Sequence, residues 1–329
     1  ALPISMNISL PDSTAGLFIA KYNTNGIAQW VVMLDVKGNS VFTETYATCD
    51  IDALGNLYVA GNFRGTNVDF NPLGVSTTLS SAGQNDIFIA KYDANGNLLW
   101  LKSAGGTGND FGNDICFDAL GNVIVTGEFT DSCIFSNTSG LQSMNNSKDA
   151  FVAKYDANGN LIWVKKGSGN YADRGLCVAT DNNGNIYGSG MFSDTITFDA
   201  THSNSAVNAI YLVKFDSAGN ELWFRYLFSG TNNLIGGLCL RNNLINITGN
   251  YSGTLNFLGG TISPPLPPSH QNNIFVCRYN LQGDLLWRNG NGSDNFIESK
   301  SITAFGNNAI AIGGNFRCTL SGFSSIYGS

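Results

Sequence analysis

Five tryptophans, Trp30, Trp100, Trp163, Trp223 and Trp287, each close the same phrase. The copies read LFIAKYNTNGIAQW, IFIAKYDANGNLLW, AFVAKYDANGNLIW, IYLVKFDSAGNELW and IFVCRYNLQGDLLW. Such self-similarity means one supersecondary unit copied along the chain, with stacked neighbours sharing a continuous core. Any fold for this chain has to be built from that unit.

Each copy divides into four short apolar runs. In the second, Ile87 to Tyr92 precedes the turn Asp93-Ala94-Asn95-Gly96-Asn97, and Leu98 to Lys102 follows it. Next come Ile115 to Asp118, a turn at Leu120-Gly121-Asn122, and Val123 to Phe129. Runs of four to seven residues rich in β-branched and aromatic side chains, bounded by Gly, Asn and Asp, are strands. No stretch carries a 3.6-residue apolar period long enough for a helix. Strands such as Leu98-Leu99-Trp100-Leu101 are apolar on both faces, which predicts cover on both sides. A glycine recurs at one position of the last strand, Gly61, Gly127, Gly190, Gly249 and Gly314. In a strand that marks a close approach of backbone, here expected from sheets crowding toward an axis.

Four-stranded antiparallel sheets packed face to face about an axis meet these demands, so the expected fold is an all-β propeller. The start, from Asn7, and the finish, from Asn315, fall at matching phases of the repeat. Five blades closed by the N-terminal strand are therefore expected, within one domain spanning 1–329. If the chain is part of a longer array, six to eight are expected instead.

Composition bounds the function. Charged residues are 12% of the chain, about half the usual ~25%, and the net charge is −7 with 17 Lys plus Arg. Nucleic acid binding needs a basic footprint, and none is visible. No apolar stretch approaches the ~20 residues that span a bilayer. No signal peptide stands at Ala1, so an export signal is expected to have been removed or to lie outside this sequence. Of the seven cysteines, Cys49, Cys116, Cys177 and Cys239 fall in one strand of successive repeats. Equivalent strands of stacked sheets lie ~10 Å apart, too far for a disulfide. Buried thiols are expected, with Cys133 and Cys318 as exceptions near strand ends.

Segments Ala82–Phe129 and Asn145–Phe192 resemble the β-propeller repeats of secreted and cell-surface proteins of Bacteroidota, with repeated FxAKYDxxGNxxW blades. The other copies are looser; the fourth has Arg241-Asn242-Asn243 where the rest have Asp-containing turns. The resemblance implies export to the cell surface, often by type IX secretion, and is nearly silent on function.

Candidate chemistry is sparse. The DxNGN turns at Asp93 and Asp156 present hard oxygen ligands but lack the ligand set of a calcium loop, so they read as structural turns. His202 and His270 read as solvated loop residues without the orienting partner a triad requires. Lys21, Lys91, Lys154, Lys214 and Arg278 recur in every copy; a site is built once, so these read as framework with stems on apolar surface and exposed heads. An Asp of an adjacent turn is their expected partner. No catalytic, cofactor-binding or metal-ligating residue is expected. Functional residues belong where the copies differ. Pro264, Pro265, Leu266, Pro267 and Pro268 form a stiff insertion, a candidate partner loop against the plainer reading of a spacer. Asp12-Ser13-Thr14 and Asp194-Thr195-Ile196 resemble the short O-glycosylation signal of Bacteroidota, at Ser13 and Thr195. The expected function is a non-enzymatic interaction or structural module, secreted or at a bacterial cell surface, with a protein or glycan partner. A lectin-like propeller is the alternative, and a propeller glycosidase or lyase the third reading.

Overall fold

The computed structural model describes residues 17–34, 47–71, 74–203, 209–228, 231–257, 260–263, 273–293, 296–306, 309–317 and 320–321. Among them every helix or strand is a strand. The chain divides into two compact units, Ala1–Asn146 with Ala153–Val164, and Ser147–Val152 with Lys165–Ser329.

β1 (Leu17–Tyr22) and β2 (Ala28–Leu34) form an antiparallel pair. β3 (Ala47–Ile51) and β4 (Leu57–Phe63) lead through a hairpin, β5 (Val68–Asp69) and β6 (Thr78–Leu79), to β7 (Asp86–Tyr92) and β8 (Leu98–Ala104). The sheet order is β3-β4-β7-β8. The plan repeats with β9 (Phe111–Phe117), β10 (Val123–Phe129), hairpin β11 (Ser132–Ser136) and β12 (Ser139–Gln142), β13 (Asp149–Tyr155) and β14 (Leu161–Gly167). It repeats again with β15 (Arg174–Thr180), β16 (Ile186–Phe192), hairpin β17 (Thr195–Thr197) and β18 (Thr201–Ser203), β19 (Ala209–Phe215) and β20 (Glu221–Phe228). A fourth blade has β21 (Thr231–Arg241), β22 (Leu244–Ser252), hairpin β23 (Leu255–Phe257) and β24 (Gly260–Ile262), β25 (Asn273–Asn280) and β26 (Leu285–Ser293), the last carrying Trp287 of the fifth copy. β27 (Phe296–Phe305), β28 (Ala309–Arg317) and β29 (Leu320–Ser321) end the chain's described part.

Among the described residues four complete blades result, not the five expected. β1–β2 and β27–β28 are separate two-stranded sheets. The tryptophan marks only the second strand pair of a blade, and a blade needs the first pair bonded to it. Counting tryptophans therefore counts β1–β2 as a blade when it is half of one.

The turns explain why strands alternate so regularly. In eight five-residue turns, beginning at Asn23, Asp52, Asp93, Asp118, Asp156, Asp181, Asp216 and Asn280, the first N–H donates to the fifth carbonyl and the glycine N–H to the first. The first side chain's Oδ1 accepts the N–H of the third and fifth residues, as Asp93 does from Asn95 and Asn97 at 2.8 and 2.9 Å. Its Oδ2 accepts from the Asn97 amide at 2.8 Å. The glycine sits at positive φ, 85° for Gly96, where a side chain is strained. The loops read separately as DANG, DSAG and LGN are thus one motif. The fourth repeat's Asn242 and Asn243, at φ 52° and 60°, join Arg241 and Leu244 as a two-residue hairpin of the primed type.

The inner strands β4, β10 and β16 are buried throughout. The expectation that the tryptophan strand is covered on both faces holds only in part. Leu99, Ile162, Leu222 and Leu286, equivalent in their repeats, are 52, 51, 52 and 50% exposed. Leu99, Leu222 and Leu286 are each the extra, unpaired residue of a β-bulge in the pairing with the preceding strand, whereas Leu98 and Leu101 pack on the core. The recurrent glycine also has a different cause from the one expected. Gly190 pairs with Gly175 at a β-bulge, and an added Cβ would lie 1.8 Å from the Arg174 carbonyl oxygen of its own sheet. Crowding between stacked sheets falls on the first strand instead, where a Cβ on Gly236 would meet the Ser299 carbonyl oxygen at 2.4 Å.

Candidate functional site

Framework contacts have to be separated from a site first, because most repeated polar residues belong to them. In the first unit, Trp30 Nε1 and Lys21 Nζ both donate to the Ala94 carbonyl, at 3.0 and 2.8 Å. Ala94 lies in the next repeat's turn. Trp100 Nε1 donates likewise to Ala157 at 3.1 Å. In the second unit Trp223 Nε1 and Lys214 Nζ both donate to Leu281, each at 3.1 Å. Each of these three tryptophans thus ties its strand to the following turn, and the turn glycine (Gly96 under Trp30, Gly283 under Trp223) makes room for the ring.

The recurring cations are taken up similarly, though not with exposed heads. Lys154 Nζ is buried, 3.1 Å from Asp118 Oδ2, the adjacent-turn aspartate expected. Burial opposes ionisation there, yet hydrogen bonds from Asn122 and the Lys154 ammonium hold the Asp118 carboxyl below its ordinary range. Lys91 lies 4.8 Å from the Tyr58 ring centre and Lys214 5.2 Å from that of Tyr187. Arg278 Nε donates to Asn246 Oδ1 at 2.7 Å. In the turns read as structural, both carboxylate oxygens are engaged by amide donors. Among the described residues no three His, Cys, Asp or Glu side chains gather as a metal-binding group.

None of the six described cysteines is joined in a disulfide. Cys133 is buried rather than exceptional, filling a slot that Val68, Ile196 and Leu255 hold elsewhere, and Cys49 is exposed. Two buried carboxyl pairs recur at the blade crossings. Burial raises Asp86 to about 6 and Asp110 to about 7, with Asp86 adding to the latter. In the second unit burial and then Asp149 raise Asp173 to about 8.

One repeat breaks the pattern. After their tryptophans, the second and third copies continue Leu101-Lys102-Ser103 and Val164-Lys165-Lys166, whereas the fourth reads Phe224-Arg225-Tyr226-Leu227-Phe228. Two of these residues open onto a cavity of about 430 Å³ in the second unit, lined by Arg225, Tyr226, Tyr279, Gly283, Asp284, Leu285 and Arg288. A second hollow, about 170 Å³, shares Arg225 and Tyr226 and adds Phe224, Phe228 and Phe257. Arg225 is fixed by donating to the carbonyls of Gly283 (2.8 Å) and Phe224 (2.9 Å), with its cation 5.4 Å from the Trp223 ring. Arg288 donates Nε–H to Thr261 at 3.2 Å and lies 5.7 Å from the Phe257 ring. Burial pushes the Tyr279 hydroxyl well up, while Arg225 and Arg288 pull it the other way.

His202 frames this region instead of sitting in a solvated loop. It is on β18, half-buried, stacked on Phe224 at 3.9 Å and 5°, with Nε2 2.7 Å from Glu221 Oε1. The hairpin that carries it pairs Ile196 with His202 and bridges Thr197 to Ser168, which the sequence pattern had not distinguished from a loop. Thr195 lies half-buried at the start of β17, opposite Ser203, after Asp194 at φ 66°. Ser13, His270, Cys318 and the insertion Pro264, Pro265, Leu266, Pro267 and Pro268 lie outside the described residues. The cavity was missed in the sequence because its signal is a departure within a framework strand, not an insertion.

No protein-family profile matches the chain. It is 28% identical over 372 aligned residues to an uncharacterized WD repeat-containing protein of Acanthamoeba polyphaga mimivirus, covering 93% of this chain and 26% of that protein. It is 26% identical over 172 residues to the regulatory protein FlaEY of Caulobacter vibrioides, covering 47% of this chain and 18% of the relative. The chain thus spans about a quarter or less of the curated relatives it matches. Antiparallel blades in a repeating four-strand plan, together with similarity to a WD-repeat protein across nearly the whole chain, make the fold an all-β propeller with four blades.

Proposed function

We propose that this chain is a non-catalytic interaction module whose partner, a protein, docks at the arginine and aromatic cavity between Tyr226 and Arg288. One observation carries the reading. Where the first three copies follow their tryptophans with aliphatic, methionine, serine or lysine side chains, the fourth alone places Phe224, Arg225, Tyr226 and Phe228 along its strand, beside a cavity. Aromatic and arginine side chains are the residue types that anchor protein interfaces. The similarity to a WD repeat-containing protein supports the same class. We further propose that the module, one domain of 1–329, works outside a bacterial cell, because its surface is poor in charge and rich in Asn, Ser, Thr and Gly.

Selection of peptides from a random display library on the folded chain tests the site. Binders are expected to lose about tenfold or more in affinity, about 1.4 kcal/mol, for Y226A and to be unaffected by K102A. Binders indifferent to Y226A refute the site. Turnover of any member of a glycoside, ester and peptide panel by the purified chain refutes the non-catalytic reading.

A further inference from the structure

The cavity holds two guanidinium groups and no acid paired to either. Among the described residues, the ion pairs involve Lys154, Lys165, Lys166, Lys300 and His202, never Arg225 or Arg288. In a chain of net charge −7, two unpaired arginines lining one cavity are conspicuous. Arg225 is held by carbonyl oxygens and by Trp223, which orient it without neutralising it. Among the described residues Arg288 uses only its Nε–H, and its two terminal nitrogens carry no hydrogen bond to them. The position is shaped for it: a Cβ on Gly260 would fall 2.2 Å from Arg288 Nη2.

A guanidinium fork matches a carboxylate by two parallel hydrogen bonds. The neighbouring hollow supplies the apolar half of a ligand. Tyr226 and Phe228 stack at 6.0 Å, and Phe257 completes the lining. Acceptors are scarce by contrast. Asp284 is the one carboxylate of the lining, and its Oδ2 already accepts from Asn280 at 2.9 Å. Sugar hydroxyls ask for acceptors as well as donors, so the lining suits an acidic side chain with an apolar neighbour better than a sugar.

The geometry points to an acidic segment of a partner protein, a glutamate or aspartate next to an aromatic residue, with the carboxylate on Arg288 and Arg225 and the ring on Tyr226, Phe228 and Phe257. This rests on the interaction-module reading above and names the chemistry its partner must carry.

The test is fluorescence anisotropy on the full chain with a labelled peptide of alternating glutamate and phenylalanine. Versions with glutamine or lysine in place of glutamate serve as controls. The glutamate peptide is expected to bind about tenfold or more tightly than the glutamine peptide, with a preference that shrinks as salt rises. R288Q should reduce that preference to less than about threefold, and K102Q should leave it intact. A measurement that needs no variant is protection of Arg288 from phenylglyoxal, mapped by mass spectrometry, by the glutamate peptide but not the glutamine one. Equal binding and equal protection by the two peptides overturn the acidic-partner inference while the docking site stands. Competition by tetragalacturonate at or below the peptide's concentration overturns it in favour of an acidic glycan. The absence of any library-selected binder sensitive to Y226A instead removes the docking site itself, so the two failures are distinguishable.

Discussion

The tryptophan that repeats most visibly is a fastener whose energy is both apolar and polar. Trp100 packs 6.5 Å from Tyr58 and donates its Nε1–H to Ala157 across to the next turn. W100F keeps much of the ring and should cost about 1 kcal/mol for the unmade hydrogen bond. W100A should cost about 3 kcal/mol, the low end for tryptophan because the ring is only half-buried. Shifts of the urea midpoint at constant slope check both values. Cysteine behaviour is likewise local. Cys49 is the exposed thiol among the six described, although burial of part of its side chain and then Asp50 raise its pKa. Iodoacetamide on the native chain should therefore label Cys49 ahead of Cys116, Cys133 and Cys277, as peptide mapping would show. That every repeat carries a tryptophan and a lysine or arginine was plain in the sequence. That both reach one carbonyl was not, because Trp30 and Ala94 are joined only when two sheets stack.

At the scale of the element, one turn motif serves in two environments, and the environment sets its energetic weight. Asp93 and Asp118 make the same hydrogen bonds to their own turns, but Asp118 also faces the buried Lys154 ammonium. D118N removes the carboxylate that faces that buried charge and should destabilise the chain by about 3–5 kcal/mol. D93N, on an exposed turn with no such cation, should cost less than about 1 kcal/mol. Thermal unfolding of the two variants in parallel tests the contrast, and similar losses would refute it. The turn chemistry was legible from Asp, Gly and Asn at fixed offsets. Its depth was not, since DANGN and DALGN differ by little that foretells which lies under a neighbouring strand. The same limit hid the exposure of Leu99: Leu98-Leu99-Trp100-Leu101 looks uniformly buried, and only the β-bulge in its pairing with the preceding strand leaves Leu99 outside.

For the whole molecule, opposing carboxyl groups set the response to pH. The turn aspartates, such as Asp93 and Asp216, have lowered pKa values, chiefly from the paired asparagine side chain. Their stabilisation is present above the unfolded value of 3.8 and is lost as pH falls through the folded one. Asp86, Asp110 and Asp173, raised by burial to about 6, 7 and 8, act the other way. The folded state holds their protons more tightly, so their stabilisation is complete below 3.8 and disappears as pH rises through 6 to 8. Stability should peak on the mildly acidic side and decline toward pH 8, and D110N with D173N should flatten that decline. A thermal midpoint that rises steadily from pH 4 to 8 would contradict the assignment. The repeat by itself determined the all-β class, the strand lengths, the turns and the framework role of the recurring residues, because those follow from local periodicity and turn chemistry. Tertiary structure decided the number of complete blades, the pairing of Lys154 with Asp118, and the convergence of Arg225, Tyr226, Tyr279 and Arg288 on one cavity. These depend on which strands share backbone hydrogen bonds and which sheets stack, and residues some sixty positions apart carry no local sign of meeting.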